Sequence, residues 1–301
     1  MLGRSLFPAL VLALAVPPAL AAAQDFDQVT IQARPLGFGV TMLTGAGGNM
    51  GLSTGEDGAF LVDTQFAPLA GKIRDAVAEV STIPVRLVLD THWHRDHVGG
   101  NEALARAGAI VIAHESVRRR MASGGTIVAL GAEIPPAPPA ALPHATFRDS
   151  LELHWNGGEI RIFHVDPAHT DGDAVVWFVQ ADVMHVGDIY FNGRYPFIDL
   201  SSGGSVQGMI DAVDRVLALA GEETKIIPGH GPLSNRRELR AYRELLAGIY
   251  GRVREMVAQG RSREEVLAAR PSAESDAAWG NGFMTPDVFV GILYEDAARG
   301  K

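Results

Sequence analysis

The segment THWHRDHVGG, residues 91–100, places three histidines and one aspartate within six consecutive positions. The whole chain has only ten histidines in 301 residues, so this density is rare by chance. Adjacent imidazoles repel one another when they protonate, which disfavours a loop held by hydrogen bonds alone. Imidazole combined with carboxylate suits zinc or another first-row transition metal and suits calcium poorly. The spacing therefore predicts a metal site on this loop.

One loop cannot enclose metal ions by itself, so we expect further ligands at the ends of other strands. His169 lies in DPAHTDGD, Asp188 in HVGDIY and His230 in IPGHGP, each beside a predicted strand. Glycine or proline next to each suits a rigid loop that brings a side chain close to a fixed ion. The chain has no cysteine, so every ligand must be an imidazole or a carboxylate.

Apolar patterning predicts the elements that carry these loops. Strands are predicted at residues 40–43, 59–63, 85–89, 110–113, 160–165, 174–179, 183–186 and 225–227, and helices at residues 68–80, 101–107, 115–122, 206–220 and 236–259. Both halves run from strands to helices, which indicates two sheets packed face to face with helices outside. The proline- and alanine-rich residues 131–143 are predicted to join the halves of a single domain, residues 24–301.

The motifs HWHRDH, AHTDGD, VGD and PGHG, with the FLVDT strand ending at Asp63, resemble the metallo-β-lactamase superfamily in content and order. The resemblance covers nearly all of the chain after residue 23. It implies an α/β fold, the αββα sandwich of two mixed β-sheets with helices on both outer faces. It also implies two Zn²⁺ ions per chain, although His and Asp ligands serve iron and manganese too.

The resemblance assigns the ligands residue by residue. His92, His94 and His169 would hold the first ion, Asp96, His97 and His230 the second, and Asp188 would bridge them. Asp96 is also the expected catalytic residue, because it could orient the nucleophile or take its proton. Asp63 is a candidate partner for a ligand imidazole, with a strand-end cap as the alternative. The remaining histidines lie outside the motifs and are predicted to be structural: His114, His144, His154, His164 and His185.

One departure from the family bears on the activity. Secreted β-lactamases of the best-known subclass carry cysteine at the position of Asp188 and, three residues later, a lysine that binds the substrate carboxylate. This chain has Asp188 at the first of these positions and Phe191 at the second. An aspartate bridge is what glyoxalase II-like hydrolases of the superfamily show. Arg194 is a candidate substrate-binding cation from the same loop, or else an ordinary surface arginine. The glycine-rich residues 45–51 are predicted to form a mobile flap over the substrate.

The first residues predict the cellular location. Arg4 precedes an apolar run through residue 20, and three alanines at residues 21–23 are typical of a signal-peptidase site. Residues 1–23 are therefore predicted to be a signal peptide, which implies a periplasmic or secreted protein without stable membrane insertion after cleavage. The net charge of −9 disfavours a nucleic-acid partner, and a small-molecule substrate is expected. The patterns do not bear on oligomeric state.

The leading hypothesis is an exported dinuclear zinc hydrolase that opens a small cyclic amide or ester, β-lactams included, by attack of metal-bound hydroxide. Zinc lowers the pKa of its water from about 15.7 to about 7, so no serine or cysteine nucleophile is required. One alternative keeps the site but changes the substrate to a lactone, thioester or phosphoester. Another is a periplasmic accessory protein that binds metal with little turnover. A redox role is disfavoured because the flavin-linked di-iron relatives carry glutamate where this chain has His94.

Overall fold

The computed structural model describes residues 25–299, and the predicted signal peptide, residues 1–23, lies outside them. The strands are β1 (Gln32–Gly37), β2 (Val40–Thr44), β3 (Met50–Ser53), β4 (Ala59–Val62), β5 (Val85–Asp90), β6 (Ile110–His114), β7 (Gly125–Ile127), β8 (Ala132–Ile134), β9 (Ala145–Phe147), β10 (Ser150–Trp155), β11 (Gly158–His164), β12 (Ala174–Phe178), β13 (Val183–His185), β14 (Lys225–Ile227) and β15 (Ser234–Asn235). The α-helices are α1 (Ala70–Val80), α2 (Arg95–Val98), α3 (Asn101–Arg106), α4 (Glu115–Ser123), α5 (Val206–Leu219), α6 (Arg236–Ala258), α7 (Arg263–Ala269), α8 (Ala273–Trp279) and α9 (Pro286–Arg299).

Two mixed sheets form the centre of the molecule. The first has seven strands in the order β1-β2-β3-β4-β5-β6-β9, and the second has six in the order β10-β11-β12-β13-β14-β15. In the first sheet β4, β5, β6 and β9 run parallel to one another, so the loops that follow β4 and β5 emerge at one edge. In the second sheet β13 and β14 are parallel, and their following loops also share an edge.

Alternating side chains build three apolar layers. Phe60 and Val62 of β4 face Val176 and Phe178 of β12 in the core between the sheets. The opposite faces of the first sheet pack on α1 and α3, and those of the second sheet pack on α5, α6 and α9. The order helix, sheet, sheet, helix confirms the predicted αββα sandwich.

The predicted elements agree with the structure to within about two residues at their ends, the usual uncertainty of helix boundaries. The strands that the patterns missed include β1 and β10, which lie at sheet edges and have few buried positions. The missed helices α7, α8 and α9 pack at the C-terminal end of the second half. The chain passes from the first sheet to the second between β9 and β10, at residues 148–149, a few residues after the predicted junction at 131–143.

Across residues 25–299, no helix combines the length and the apolar character that crossing a bilayer requires.

Candidate metal centre

The histidine-rich loop begins where β5 ends, at the edge shared by the parallel strands of the first sheet. Asp63 follows β4 directly, and its carboxylate accepts hydrogen bonds from the backbone N–H of Thr91 (2.7 Å) and from the Thr91 hydroxyl (2.8 Å). The backbone N–H of Ala174 donates to the Thr91 carbonyl (2.9 Å), which ties the loop to the second sheet. Hydrogen bonds from both halves of the chain therefore hold this loop in place.

Four of the predicted ligands form a first group, defined here as His92, His94, His169 and Asp188. One candidate ligand atom from each lies within 4.8 Å of the others, and all four side chains are buried. His169 Nε2 lies 2.9 Å from His94 Nδ1 and 3.5 Å from Asp188 Oδ2. His92 Nε2 lies 3.8 Å from the same carboxylate oxygen.

The other three form a second group, defined here as Asp96, His97 and His230. Asp96 Oδ2 lies 3.6 Å from His97 Nε2 and 3.3 Å from His230 Nε2. The two imidazole nitrogens are 3.4 Å apart. Asp96 and His230 are 25% and 21% exposed at their side chains, so this group faces the opening of the site.

Asp188 lies between the two groups. Its Oδ2 faces His92 and His169 of the first group, whereas its Oδ1 lies 3.2 Å from His97 Nε2 and 3.4 Å from His230 Nε2. One carboxylate thus presents one oxygen to each group. The structure therefore brings together all seven residues that the sequence singled out as ligands.

Most of the ligand imidazoles are held through the nitrogen that points away from the groups. His97 Nδ1 lies 2.7 Å from Asp63 Oδ2, and His92 Nδ1 lies 3.1 Å from the Thr91 hydroxyl. His169 Nδ1 donates to the carbonyl of Phe197 at 2.8 Å. These outer partners select the ring orientation in which the other nitrogen faces the site.

Asp199 plays the same part for His94 and was missed by the sequence analysis. Its Oδ2 lies 3.0 Å from His94 Nε2, and the side chain is 1% exposed. The hydroxyl and backbone N–H groups of Ser201 and Ser202 donate to the rest of the carboxylate. The DLSS segment carries no ligand spacing; its only sequence signal is an aspartate followed by serines, which is typical of a helix cap.

Burial and charge set the protonation of the two groups differently. In the first group, burial lowers the pKa of His92 well below its usual range and lowers the pKa of His169 to about 4, so both rings are neutral. In the second group, burial lowers the pKa of His97, but Asp188, Asp96 and Asp63 outweigh it and hold the pKa well above its usual value. The same balance, with Asp188 and Asp96, raises the pKa of His230 to about 9. The second group therefore attracts positive charge strongly.

The donor set fits a pair of metal ions. Within residues 25–299, His92 Nε2 and Asp188 Oδ1 are buried and no donor or acceptor meets them in hydrogen-bond geometry, although nearly all buried polar atoms in proteins have a partner. Neutral imidazole nitrogens and a carboxylate are the ligands that zinc and similar ions take. Both unpaired atoms face other ligand atoms, so a cation held among them would satisfy them.

Two glycines allow the backbone to approach the ligands closely. A Cβ atom on Gly48 would lie 2.1 Å from the His97 ring, and one on Gly229 would lie 1.9 Å from Asp188 Oδ1. Any larger residue at either position would displace a ligand. These close contacts explain why glycine-rich segments flank the site.

The structure gives the glycine-rich segment a different role from the predicted flap. Its last residues begin β3, and Gly48 and Asn49 are buried. The backbone N–H of Gly48 donates to the carbonyl of Asp96 (3.0 Å), and that of Asn49 donates to the carbonyl of Gly229 (2.7 Å). The segment is a wall fixed between the two halves, because its polar groups are paired with both ligand-bearing loops.

The structure places Arg194 in the loop after Asp188, with its side chain packed beside Gly282 in the connection between α8 and α9. Among residues 25–299 its guanidinium has no hydrogen bond or ion pair, with the two groups or with any other residue, so the structure does not join Arg194 to the seven candidate ligands. The histidines predicted to be structural all lie outside the two groups. His114 and His164 stack on each other with ring centroids 3.8 Å apart, and His185 bonds to the carbonyl of Asn49.

Comparison with known proteins shows the family. The model of the metallo-beta-lactamase superfamily matches residues 43–230, which are more than half of the chain and include all seven candidate ligands. The chain belongs to the metallo-beta-lactamase superfamily. Members of this superfamily are mostly hydrolases and usually bind zinc, and the two groups described above could hold metal ions.

Individual relatives are distant. The probable metallo-hydrolase YqgX of Bacillus subtilis is 26% identical over 171 residues, which cover 54% of this chain and 75% of that protein. A hydroxyacylglutathione hydrolase of Methylococcus capsulatus is 30% identical over 206 residues, covering 66% and 68%. The metallo-beta-lactamase type 2 of Bacteroides fragilis is 24% identical over 170 residues, covering 56% and 61%.

Among solved structures, the metallo-beta-lactamase from Pontibacter korlensis superposes with a TM-score of 0.57 at 19% identity, covering 72% of this chain and 99% of that one. At this identity the match demonstrates a shared fold. It supports the αββα architecture independently of the strand order.

Proposed function

We propose that this protein is a dinuclear zinc hydrolase that opens a small cyclic amide or ester, with β-lactams among its candidate substrates. The observation that carries the proposal is Asp188, which presents one oxygen to each ligand group. Zinc ions held there would supply an acidified water, with a pKa near 7, and a Lewis acid for the substrate carbonyl. Hydrolase relatives in the same superfamily support this reading.

Asp96 is the residue that we propose to act on the nucleophilic water. It lies at the opening and is more exposed than Asp188. Burial raises the pKa of Asp96, but His97 and His230 outweigh burial and hold that pKa well below its usual range. The carboxylate is therefore ionised at neutral pH and suited to orient a water molecule by accepting its hydrogen bond. Because its pKa is low, it is a weak base and accepts a proton from that water poorly.

Aromatic side chains shield the ligands from bulk water. Phe191 stacks on His230 with ring centroids 5.2 Å apart, and Phe197 stacks on His94 at 5.8 Å. An apolar wall of this kind lowers the local dielectric, which strengthens the interactions of a developing negative charge.

A second candidate function is hydrolysis of a lactone, thioester or phosphoester. It is favoured by the aspartate at position 188, which we compare with glyoxalase II-like hydrolases, and by the hydroxyacylglutathione hydrolase relative. The difference between the candidates lies in the substrate, because both use the same two ligand groups.

Zinc-loaded protein tested on a chromogenic cephalosporin, a lactone, a thioester and a phosphoester would rank the two candidates by kcat/KM. His94→Ala should abolish the activity found, whereas His154→Ala should leave it unchanged, because His154 is 79% exposed beside Glu152. A protein that holds metal but turns over no substrate in the panel would instead support the metal-binding accessory role. A protein that binds no metal would exclude all three.

We also propose that the protein is exported, because residues 1–23 have the pattern of a cleavable signal peptide. N-terminal sequencing of the protein from a periplasmic fraction should begin close to Gln24. Recovery of chains that begin at Met1 inside the cell would contradict export.

A further inference from the structure

Asn49 holds the loop that carries His230 of the second ligand group. Its side-chain Nδ2 donates to the carbonyl of Pro228 at 2.8 Å and to that of Gly231 at 2.9 Å. Both amide hydrogens are therefore used, one on each side of His230. The backbone N–H of Asn49 also donates to the carbonyl of Gly229, so three carbonyls of this short loop are held by one residue.

Asn49 belongs to a turn formed by residues 46–49, and this turn also holds the Asp96 loop. The backbone N–H of Gly48 donates to the carbonyl of Asp96 at 3.0 Å. Asp96 belongs to the first half of the chain and His230 to the second, so residues 48 and 49 fix the relative position of two ligands that come from different sheets.

The Gln65 side chain stabilises this turn through hydrogen bonds to its backbone. Its Oε1 accepts from the backbone N–H groups of Ala46 (3.2 Å) and Gly47 (3.3 Å), and its Nε2 donates to the carbonyl of Gly48 at 2.6 Å. The side chain is fully buried and its backbone has φ +51°, a costly conformation for a residue other than glycine. A strained, buried glutamine with all its polar atoms on one turn indicates that the turn must keep its shape.

His230 depends on this turn more than the other ligands do. Each of the other four ligand histidines has a partner on its outward nitrogen: a hydroxyl, a carbonyl or a carboxylate. Within residues 25–299, His230 Nδ1 has no such partner. Its ring is placed by stacking on Phe191 and by the backbone that Asn49 holds.

We infer that Asn49 is a positioning residue for the second ligand group, and that it sets the affinity of that group for its metal ion without touching the ion. The inference rests on the proposed metal-dependent function. It predicts that loss of the Asn49 amide weakens the second site selectively. Two outer partners of the first group, Asp199 and the Phe197 carbonyl, bond to His94 and His169, and within residues 25–299 neither has a hydrogen bond to residues 46–49.

The test is Asn49→Asp, which keeps the shape of the side chain but replaces the NH₂ donor by an oxygen facing two carbonyls. Calorimetric titration of the metal-free protein with Zn²⁺ or Co²⁺ should show two ions bound by the wild type. In the variant, the Kd of one ion should rise by about 10- to 100-fold, the usual effect of losing an outer-shell partner. The other Kd should stay unchanged, and the Co²⁺ absorption spectrum should keep the component of the first group.

Asn156→Asp is the matched control. The Asn156 amide also links the two halves, by donating to the Ser53 hydroxyl (3.1 Å) and the Gly58 carbonyl (3.0 Å), but it lies away from the ligands. This variant should bind both ions with wild-type affinity. Gln65→Glu, which loses only the donor to Gly48, should weaken the second ion in the same direction and provides the test if Asn49→Asp does not fold.

Three results would overturn the inference. Unchanged affinity for both ions in Asn49→Asp and Gln65→Glu would show that the turn does not position the second group. Equal weakening in Asn156→Asp would show a general loosening between the halves. A wild type that binds no ion would reject the proposed function itself, and this outcome is distinguishable because it appears before any variant is examined.

Discussion

At the scale of single residues, the ligands are positioned by partners that a ligand motif does not contain. Asp199 and the Phe197 carbonyl hold two imidazoles of the first group, and Asp63 holds His97 in the second. Each partner bonds to the outward nitrogen of its ring, so the other nitrogen faces the site. Metal affinity should therefore depend on buried residues that have no ligand role.

We expect Asp199→Asn to weaken Zn²⁺ binding at the first group by about 10- to 100-fold. The amide cannot reproduce a charged acceptor for the His94 N–H, which lies 3.0 Å away. Competition with a chromophoric chelator would measure the Kd. Asp214→Asn, on the exposed ion pair with Arg243, should leave the Kd unchanged. Wild-type affinity in the Asp199 variant would contradict the assigned role.

His114 should make the fold sensitive to acid. Its Nδ1 accepts from the backbone N–H of Ser116 at the start of α4, and burial together with His164 lowers its pKa to about 4. An unfolded histidine titrates near 6.5, so between about pH 6.5 and 4 the unfolded chain binds more protons and the free energy of unfolding falls as the pH falls. His114→Asn keeps a capping acceptor and removes this titration.

Urea unfolding of the metal-free protein at pH 7, 5.5 and 4 measures the effect. The wild type should lose about 1–3 kcal/mol more than His114→Asn over this range. His154→Asn, at an exposed position, should follow the wild type. Parallel stability curves for the wild type and His114→Asn would show that burial does not shift this group.

At the scale of elements, the site is an assembly of loops that follow parallel strands. β4 and β5 bring Asp63 and the histidine-rich loop to one edge, and β13 and β14 bring Asp188 and His230 to the facing edge. The loops can converge only if their backbones approach each other closely. Gly229 is one such point, because a Cβ atom there would lie 1.9 Å from Asp188 Oδ1.

Gly229→Ala should therefore displace Asp188, lower the metal content and destabilise the fold by about 1–3 kcal/mol, the usual cost of overpacking. Gly71→Ala is the control, since Gly71 lies in α1 with open space around its Cβ position. That change should stabilise the protein by about 0.5–1 kcal/mol. Thermal unfolding and metal analysis of both variants would decide, and a Gly229 variant with full metal content would contradict the prediction.

At the scale of the whole molecule, each ligand group contains residues from both halves. His92 and His94 meet His169 in the first group, and Asp96 and His97 meet His230 in the second. Metal ions bound here would link the two sheets, in addition to the apolar core between them. Binding to the folded state alone would then raise the stability of the entire chain.

Removal of metal with a chelator should lower the Tm, and added Zn²⁺ should restore it. At a free concentration about 1,000 times the Kd, one bound ion contributes about 4 kcal/mol. Differential scanning calorimetry of the zinc-loaded and chelated protein measures this shift. His94→Ala should show a smaller shift in Tm than the wild type. If the chelator leaves the Tm of the wild type unchanged, metal ions do not link the two halves.

The sequence predicted the architecture and the ligand segments because both leave local signals. Buried apolar runs such as β4 and β5 mark central strands, and histidines with glycine neighbours mark the loops after them. Edge strands β1 and β10 leave weak patterns because few of their positions are buried. Asn49 and Asp199 act on residues far away in sequence, so nothing beside them indicates their partners.

The pair Phe60 and Phe178 joins the two sheets edge to face, with ring centroids 6.1 Å apart. Phe60 stands three residues before Asp63, and Phe178 ends the strand that follows His169. This aromatic pair therefore helps to set the distance between the two sheets, and with it the distance between the residues that each half supplies to the two ligand groups. Exchange of either ring for a smaller branched side chain would change that distance from within the buried core, without altering any candidate ligand.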